Sequence, residues 1–198
     1  MLKPIIAAFD FDETLITRDT LVDFIWSSST VWSFLTGCVR MLPTLLLFAL
    51  HRVSNQRAKE KLLAIFFGGM SQGAFEKLCE QYVNRLDRFA NPEALARVAW
   101  HQEQGDTVLI ISASPEAWIL PWATNQGIET VIATKLEYQD GKMTGKLAGR
   151  NCHGAEKLAR FLDSYPDRQT YELYVYGDGK SDSAMFAAAD HAYKRRFA

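Results

Sequence analysis

The spacing of apolar and polar residues predicts an alternation of strands and helices over most of the chain. Short, continuous apolar runs are typical of strands that are buried on both faces. Helical patterns separate these runs, and strands that alternate with helices favour a parallel α/β sheet. A hairpin with a tight turn is predicted over residues 135–146, and a short closing strand over 191–193. The four longer apolar runs lie at residues 4–9, 107–111, 131–134 and 171–176.

Residues 20–89 break this alternation, because the pattern there is helical throughout. The segment separates the first predicted strand from all the others, so we interpret it as an insertion. The predicted organisation is a core domain formed by residues 1–17 together with 91–198, and a helical cap domain formed by residues 18–90.

The first half of this insertion is unusually apolar. Residues 24–39 carry no charge, and a second uncharged run follows Arg40 over residues 41–50. A membrane span needs about 20 mainly apolar residues, but Arg40 interrupts this stretch and Pro43 is expected to break a single helix. Two alternatives stay open, a helical hairpin buried in the cap and a hairpin that rests at a membrane interface.

Composition narrows the function classes. The 198 residues include 22 basic and 23 acidic side chains, a balance that argues against nucleic-acid binding. Cys38, Cys79 and Cys152 are far apart, and we interpret them as small core residues in a reducing compartment. The apolar run at the N-terminus is too short for a signal peptide. We expect a cytoplasmic protein, associated with the inner face of the membrane if the cap rests at an interface.

Acidic and hydroxyl residues follow three of the predicted strands. Asp10 and Asp12 come after the first strand, Ser112 after the second, and Asp178 and Asp182 after the fourth. In an open α/β sheet the ligand crevice lies outside the carboxyl ends of the strands. We therefore expect these side chains, although distant in sequence, to meet at one edge of the sheet.

The first acidic pair suggests a metal. In an extended chain Asp10 and Asp12 face the same side, where their charges repel unless a cation lies between them. Mg²⁺ suits such oxygen ligands, and Asp178 would complete the set. Taken singly, each motif also has a plain structural interpretation: capping acids in a turn, a helix-capping Ser112, or a surface Lys157.

Together the motifs resemble a known family. FDFDETL at residues 9–15, a strand that ends at Ser112, then Lys157, and finally GDGKSD at residues 177–182 are similar, in this order, to the four motifs of the haloacid dehalogenase-like superfamily. The resemblance is strongest to the branch of the phosphoserine phosphatases, because a helical cap follows the first motif. It implies a three-layer, Rossmann-like core with a parallel sheet and an inserted α-helical cap.

The resemblance also implies roles for individual residues. Asp10 would be the nucleophile that forms an aspartyl-phosphate, and Asp12 the acid that protonates the leaving oxygen and then activates water. Thr14 would orient the loop that carries these two acids. The implied Mg²⁺ ligands are Asp10, Asp12 through its backbone carbonyl, Asp178 and Asp182. The implied substrate-binding residues are Thr14, Ser112, Ser114, Lys157 and Lys59.

The substrate is expected to be a phosphomonoester, and the cap favours a lipid. Recognition of phosphoserine needs a charged cap pocket, whereas this cap is rich in aromatic and aliphatic residues such as Trp26, Trp32, Phe34 and the run 45–48. It is similar to the caps of phosphatidylglycerophosphate phosphatases of this branch. The alternatives are a soluble phosphatase of the phosphoserine phosphatase type and a non-enzymatic binding protein on the same fold.

Overall fold

The computed structural model describes residues 3–195 and 197, which form a central parallel sheet with helices on both faces and a separate two-stranded hairpin. In spatial order, the five strands of the sheet are residues 130–134, 107–115, 5–9, 172–177 and 191–194. The strands are β1 (Ile5–Phe9), β2 (Thr107–Pro115), β3 (Thr130–Thr134), β4 (Leu136–Gln139), β5 (Lys142–Leu147), β6 (Glu172–Gly177) and β7 (His191–Lys194). The helices are α1 (Thr20–Ser27), α2 (Val31–Ala49), α3 (Asn55–Phe67), α4 (Gln72–Asp87), α5 (Pro92–Glu103), α6 (Glu116–Asn125), α7 (Ala155–Ser164) and α8 (Ser183–Ala188).

The predicted fold class, an α/β protein with a Rossmann-like core, is confirmed. The apolar runs form β1, β2, β3 and β6, and the predicted hairpin forms β4 and β5. Strand β2 extends to Pro115, beyond the predicted end, because the small residues at 112–114 continue in extended conformation.

Two hydrophobic cores make the fold three-layered. Because successive side chains of a strand point to opposite faces, Ala7 and Phe9 of β1 belong to one core, with Trp118 of α6. Ile6 and Ala8 belong to the other core, with Phe161 of α7. The continuous apolar run of β1 is thus explained by burial on both faces.

The order of the strands decides where the chemistry lies. β1 is central and pairs with β2 on one side and β6 on the other, all in parallel. The backbone N–H of Asp10 extends this pairing by donating to the carbonyl of Tyr176 at 2.8 Å. The carboxyl ends of β1, β2 and β6 are therefore neighbours at one edge of the sheet.

The chain leaves and re-enters the core at adjacent points. The N–H of Thr17 donates to the carbonyl of Phe89, and the N–H of Asn91 donates to the carbonyl of Leu15, each at 2.8 Å. Helices α1–α4 lie between these two crossings. We propose that these two crossings divide the chain into a core domain and a cap domain.

The expectation that Pro43 breaks the apolar segment is wrong. α2 runs without interruption from Val31 to Ala49 and contains Pro43. Packing against α3 supports the helix here, because Met41 is buried and Gly37 lets the ring of Phe66 approach so closely that a Cβ atom would lie 2.2 Å from it.

Among the described residues α2 is the one helix long and apolar enough to cross a membrane, by length and composition alone. Its mean hydropathy is 1.5, and only 11% of the scanned residues are buried. Its apolar side chains are therefore largely exposed in the structure.

The expectation that all three cysteines are core residues is wrong for one of them. Cys79 and Cys152 are buried as expected, but Cys38 on α2 is exposed.

Candidate active site

One cleft at the carboxyl edge of the sheet is lined by four of the five residues expected to meet, namely Asp10, Asp12, Ser112 and Asp178. The fifth, Asp182, does not line the cleft but accepts a hydrogen bond from Lys157, which does. The cleft has a volume of about 180 Å³. β1 leads into Asp10 and Asp12, β2 contains Ser112, and β6 leads into Asp178. The cleft is lined by Asp10, Asp12, Glu13, Asp19, Ser112, Ala113, His153, Lys157, Asp178 and Ser181.

Lys157 connects two carboxylates at the base of this cleft. It lies in the first turn of α7, and its Nζ donates to Oδ1 of Asp10 at 2.7 Å and to Oδ1 of Asp182 at 2.6 Å. All three side chains are buried. Burial alone would lower the pKa of Lys157, but the two carboxylates outweigh it and raise this pKa, so the side chain is held as a cation.

Three carboxylates come close enough to share a cation. One oxygen each from Asp10, Asp178 and Asp182 lies within 4.8 Å of the others. The Asp182 carboxylate fits here because residue 177 is glycine: a Cβ atom at Gly177 would lie 2.7 Å from Oδ2 of Asp182. Hard oxygen donors of this kind suit Mg²⁺, so the residues present fit the expected metal.

The raised pKa of Asp10 also fits a bound cation at this site. Burial and, after the opposing effect of Lys157, the nearby Asp182 raise the pKa of Asp10 to about 7. Burial, only partly opposed by Lys157, thus favours the protonated form of Asp10 in the metal-free protein. A bound divalent cation would favour the ionised carboxylate.

The Asp12 carboxylate is not part of this cluster, so it does not flank a cation together with the Asp10 carboxylate. Its Oδ1 accepts the backbone N–H of Thr20, the first residue of α1, at 2.7 Å, and its Oδ2 accepts the hydroxyl of Ser114. Trp118 supports this arrangement by donating from Nε1 to the Thr20 hydroxyl at 3.1 Å. Burial raises the pKa of Asp12 although these hydrogen bonds oppose the change.

Only two of the residues expected to bind substrate line the cleft, Ser112 and Lys157. Ser114 instead holds Asp12. Thr14 is buried, and its hydroxyl has no hydrogen-bond partner among the described residues. Lys59 comes from the cap helix α3, and its Nζ donates to the carbonyl of Ala113 at 2.8 Å and to Oδ1 of Asn151 at 2.9 Å.

Four polar residues that line the cleft were not predicted as site residues from the sequence: Glu13, Asp19, His153 and Ser181. Asp19 caps α1 by accepting the N–H groups of Leu21 and Val22, so its sequence context indicated only a helix cap. His153 lies near Lys157 and Lys59, and burial followed by these two cations lowers its pKa. The four histidines are scattered along the sequence, so no motif marked His153 as a site residue.

The fold is a parallel α/β sheet with a polar cleft at the carboxyl ends of its strands. Residues 7–187 match the haloacid dehalogenase-like hydrolase family, and the chain belongs to this family. It is a phosphatase with an inserted helical cap.

Individual relatives agree with this assignment. The chain is 31% identical to Protein CicA of Caulobacter vibrioides over 98% of this chain and 87% of that protein. It is 26% identical to a histidinol-phosphatase of Neisseria meningitidis over 89% of this chain and 83% of that protein. A solved phosphoserine phosphatase that holds an analogue of its phospho-aspartyl intermediate has the same fold, with a TM-score of 0.63, 18% identity and coverage of 98% and 88% of the two chains.

Proposed function

We propose that this phosphatase is Mg²⁺-dependent and acts on phosphomonoesters through an aspartyl-phosphate on Asp10. The observation that carries the proposal is the group of Asp10, Asp178 and Asp182 within 4.8 Å, next to the buried cation of Lys157. The direct test is hydrolysis of p-nitrophenyl phosphate by protein treated with EDTA, before and after addition of Mg²⁺. Hydrolysis that is indifferent to both treatments would refute the metal requirement.

In the first step an oxygen of Asp10 attacks phosphorus. Lys157 donates to Oδ1 of Asp10 and so fixes the direction of this carboxylate. Lys157 and the hydroxyl of Ser112, which both line the cleft, then hold phosphate oxygens as charge develops on them. When bound, Mg²⁺ would neutralise part of the phosphate charge, and the anionic Asp10 could then approach phosphorus.

The proton needed by the leaving oxygen comes from Asp12. Its raised pKa favours the protonated form that an acid catalyst requires, and its hydrogen bonds to Thr20 and Ser114 fix its orientation. After the alcohol departs, the same carboxylate removes a proton from the water that cleaves the aspartyl-phosphate. One residue thus serves both steps.

Asp178→Asn should weaken activation by Mg²⁺. A neutral amide is a poorer partner for Mg²⁺ than a carboxylate, and even loss of an outer partner of a metal typically costs about tenfold or more in affinity. We expect the Mg²⁺ concentration for half-maximal activity to rise at least about tenfold, with partial rescue at high Mg²⁺. The thermal stabilisation by Mg²⁺ should fall in parallel.

The matched control for this variant is Asp163→Asn, which removes an exposed carboxylate on α7 outside the cleft. It should titrate with Mg²⁺ like the wild type. A loss of rate in Asp178→Asn that does not depend on Mg²⁺ would contradict ligation by Asp178.

We further propose that the substrate is a lipid whose headgroup ends in a phosphomonoester, such as phosphatidylglycerophosphate. The support is the outward face of α2, where Trp32, Val39 and Leu46 are 79%, 64% and 62% exposed. An apolar surface of this kind on a helix is typical of membrane contact. The enzyme would then work at the inner face of the membrane.

The charges around α2 fit an anionic membrane surface. No aspartate or glutamate occurs between Phe24 and Lys59, whereas Arg40, Arg52 and Arg57 all lie in this segment and are exposed. Basic residues next to an apolar face are attracted to anionic lipids by about 1 kcal/mol each. Charge and hydrophobicity on this side of the cap therefore favour the same surface.

Replacement of Val39 and Leu46 by serine should release the protein from vesicles. Each loses an apolar side chain, and full burial of such a side chain is worth about 1.5–3 kcal/mol, so partition into vesicles should fall by at least about tenfold. The measurement is co-sedimentation with vesicles of phosphatidylglycerol and phosphatidylcholine.

The control for this variant is Leu120→Ser, which changes an exposed leucine on α6 of the core and should sediment like the wild type. A wild-type protein that stays in the supernatant and hydrolyses phosphoserine in preference to phosphatidylglycerophosphate would overturn the lipid proposal. The phosphatase assignment would remain.

A further inference from the structure

A second, larger cavity lies within the cap, between α1, α2 and α3. It has a volume of about 500 Å³, which is in the range of small-molecule binding sites. The cavity is open to solvent on one side, because Leu42, Leu45 and Phe48 of its wall are 59%, 49% and 40% exposed. Most of its wall is apolar, and its largest apolar side chains are Phe34, Met41, Leu45, Phe48, Leu62 and Phe66.

The cavity adjoins the catalytic cleft. Asp19 lines both of them. Lys59 lines the cavity, and its Nζ donates at 2.8 Å to the carbonyl of Ala113, which lines the cleft. Asn55, another polar residue of the cavity wall, accepts a hydrogen bond at 2.8 Å from Asn151 of the core. The polar part of the cavity wall therefore lies toward the core and the phosphate site.

α2 presents apolar side chains on two opposite faces. Phe34, Cys38, Met41 and Leu45 recur at helical spacing and line the cavity. The outward-facing side chains of Trp32, Val39 and Leu46 do not line the cavity. The same helix can therefore contact a membrane with one face and enclose an apolar ligand with the other, and the two functions can be tested by different substitutions.

We propose that this cavity binds a hydrocarbon chain of the substrate while its phosphate lies at Asp10. The inference rests on the proposed function, and it narrows the substrate class to phosphomonoesters that carry a long apolar chain. Asp19, Asn55 and Lys59 lie where the chain joins the polar part of the ester. Lys59 is positioned there to balance negative charge on that polar part.

Cys38 provides a reporter for occupancy of the cavity. Its thiol is exposed and lines the cavity, so N-ethylmaleimide should label it. The other two thiols are protected: Cys79 and Cys152 are 1% and 0% exposed. Burial raises their pKa values to about 12 and about 11, so few thiolates are present. A Cys38→Ser protein measures the remaining background.

The test compares two phosphonates, which bind like the ester but are not hydrolysed. Each methylene that enters an apolar site adds up to about fourfold in affinity. Dodecylphosphonate, kept below its micelle concentration, should therefore slow labelling of Cys38 at a concentration at least about 100-fold lower than ethylphosphonate. Equal protection by both compounds, or protection by neither, would overturn the inference.

A substitution that fills the cavity provides the second arm. Ala58→Phe places a ring in the cavity from α3, and it should remove the advantage of dodecylphosphonate over ethylphosphonate in equilibrium binding. Leu120→Phe adds the same kind of bulk on the surface of α6 and should keep that advantage. Thermal melting shows whether each variant is folded, and a folded Ala58→Phe protein with the full advantage would contradict the inference.

The outcomes separate this inference from the proposed function. Protection of Cys38 by the long chain in a protein that does not hydrolyse p-nitrophenyl phosphate would overturn the proposed function and support the cavity assignment. Hydrolysis with Mg²⁺ but without chain-dependent protection would support the proposed function and overturn the cavity assignment.

Discussion

Asp10→Asn should abolish turnover, with a loss of at least about 10⁴-fold in kcat. An amide attacks phosphorus poorly, and the neighbouring Asp12 carboxylate is kept from this role by its hydrogen bonds with Thr20 and Ser114. The measurement is steady-state hydrolysis of p-nitrophenyl phosphate with saturating Mg²⁺. Asp163→Asn again provides the matched control, and turnover near the wild-type rate in Asp10→Asn would refute the mechanism.

The same variant has a consequence for stability. The pKa of Asp10 is raised from 3.8 to about 7 in the folded protein, so the folded state binds more protons than the unfolded state between these pH values. The stability of the metal-free protein should therefore fall as pH rises from about 4 to about 7. Asp10→Asn lacks this contribution and should lose less stability between pH 5 and 8. Thermal melting in EDTA measures the difference, which would be absent if Asp10 titrated normally.

Asp12→Asn should slow hydrolysis of alkyl phosphates by about 10²–10⁴-fold, the usual contribution of a positioned acid or base. Formation and hydrolysis of the aspartyl-phosphate both lose the carboxyl group that donates or accepts the proton. With p-nitrophenyl phosphate the leaving group needs no proton, so the first step should stay close to normal while the second is slow. We expect a rapid release of one equivalent of p-nitrophenol, followed by slow turnover.

The measurement for this variant is a rapid-mixing time course at high enzyme concentration. The burst distinguishes loss of the acid from disorder of the cleft, since a disordered cleft would slow both substrates equally. Equal impairment with good and poor leaving groups, and no burst, would contradict the proposed role of Asp12.

The sequence predicted the fold well where a single physical cause dominates. Burial on both faces gives β1 and β2 continuous apolar runs, and these runs marked the strands without help from tertiary structure. Pro43 shows the opposite case. The rule that a proline ends a helix is local, whereas the packing of α2 against α3, such as the close approach of Gly37 and Phe66, is not visible in a local pattern.

The site shows the same limit. The alternation of strands and helices predicts that Asp10, Ser112 and Asp178 lie at one edge of the sheet, and all three line one cleft. The alternation does not predict the direction of each side chain. Asp12 turns toward the first turn of α1, and Ser114 turns toward Asp12. The cavity in the cap depends on three helices packing together, so the sequence indicated only an apolar segment.

Every residue that lines the cap cavity lies between Asp19 and Phe66, and Asp19 is the only one that also lines the catalytic cleft, among the residues that the structure describes. Mutations can therefore alter the size and shape of the cavity without touching the residues that perform the chemistry. With the chain-binding role proposed for this cavity, substitutions in α2 and α3 alone would change which phosphomonoesters the protein accepts, while Asp10, Asp12 and Lys157 stay the same. The substrate range would then be encoded in the cap helices and not in the motifs at the edge of the sheet.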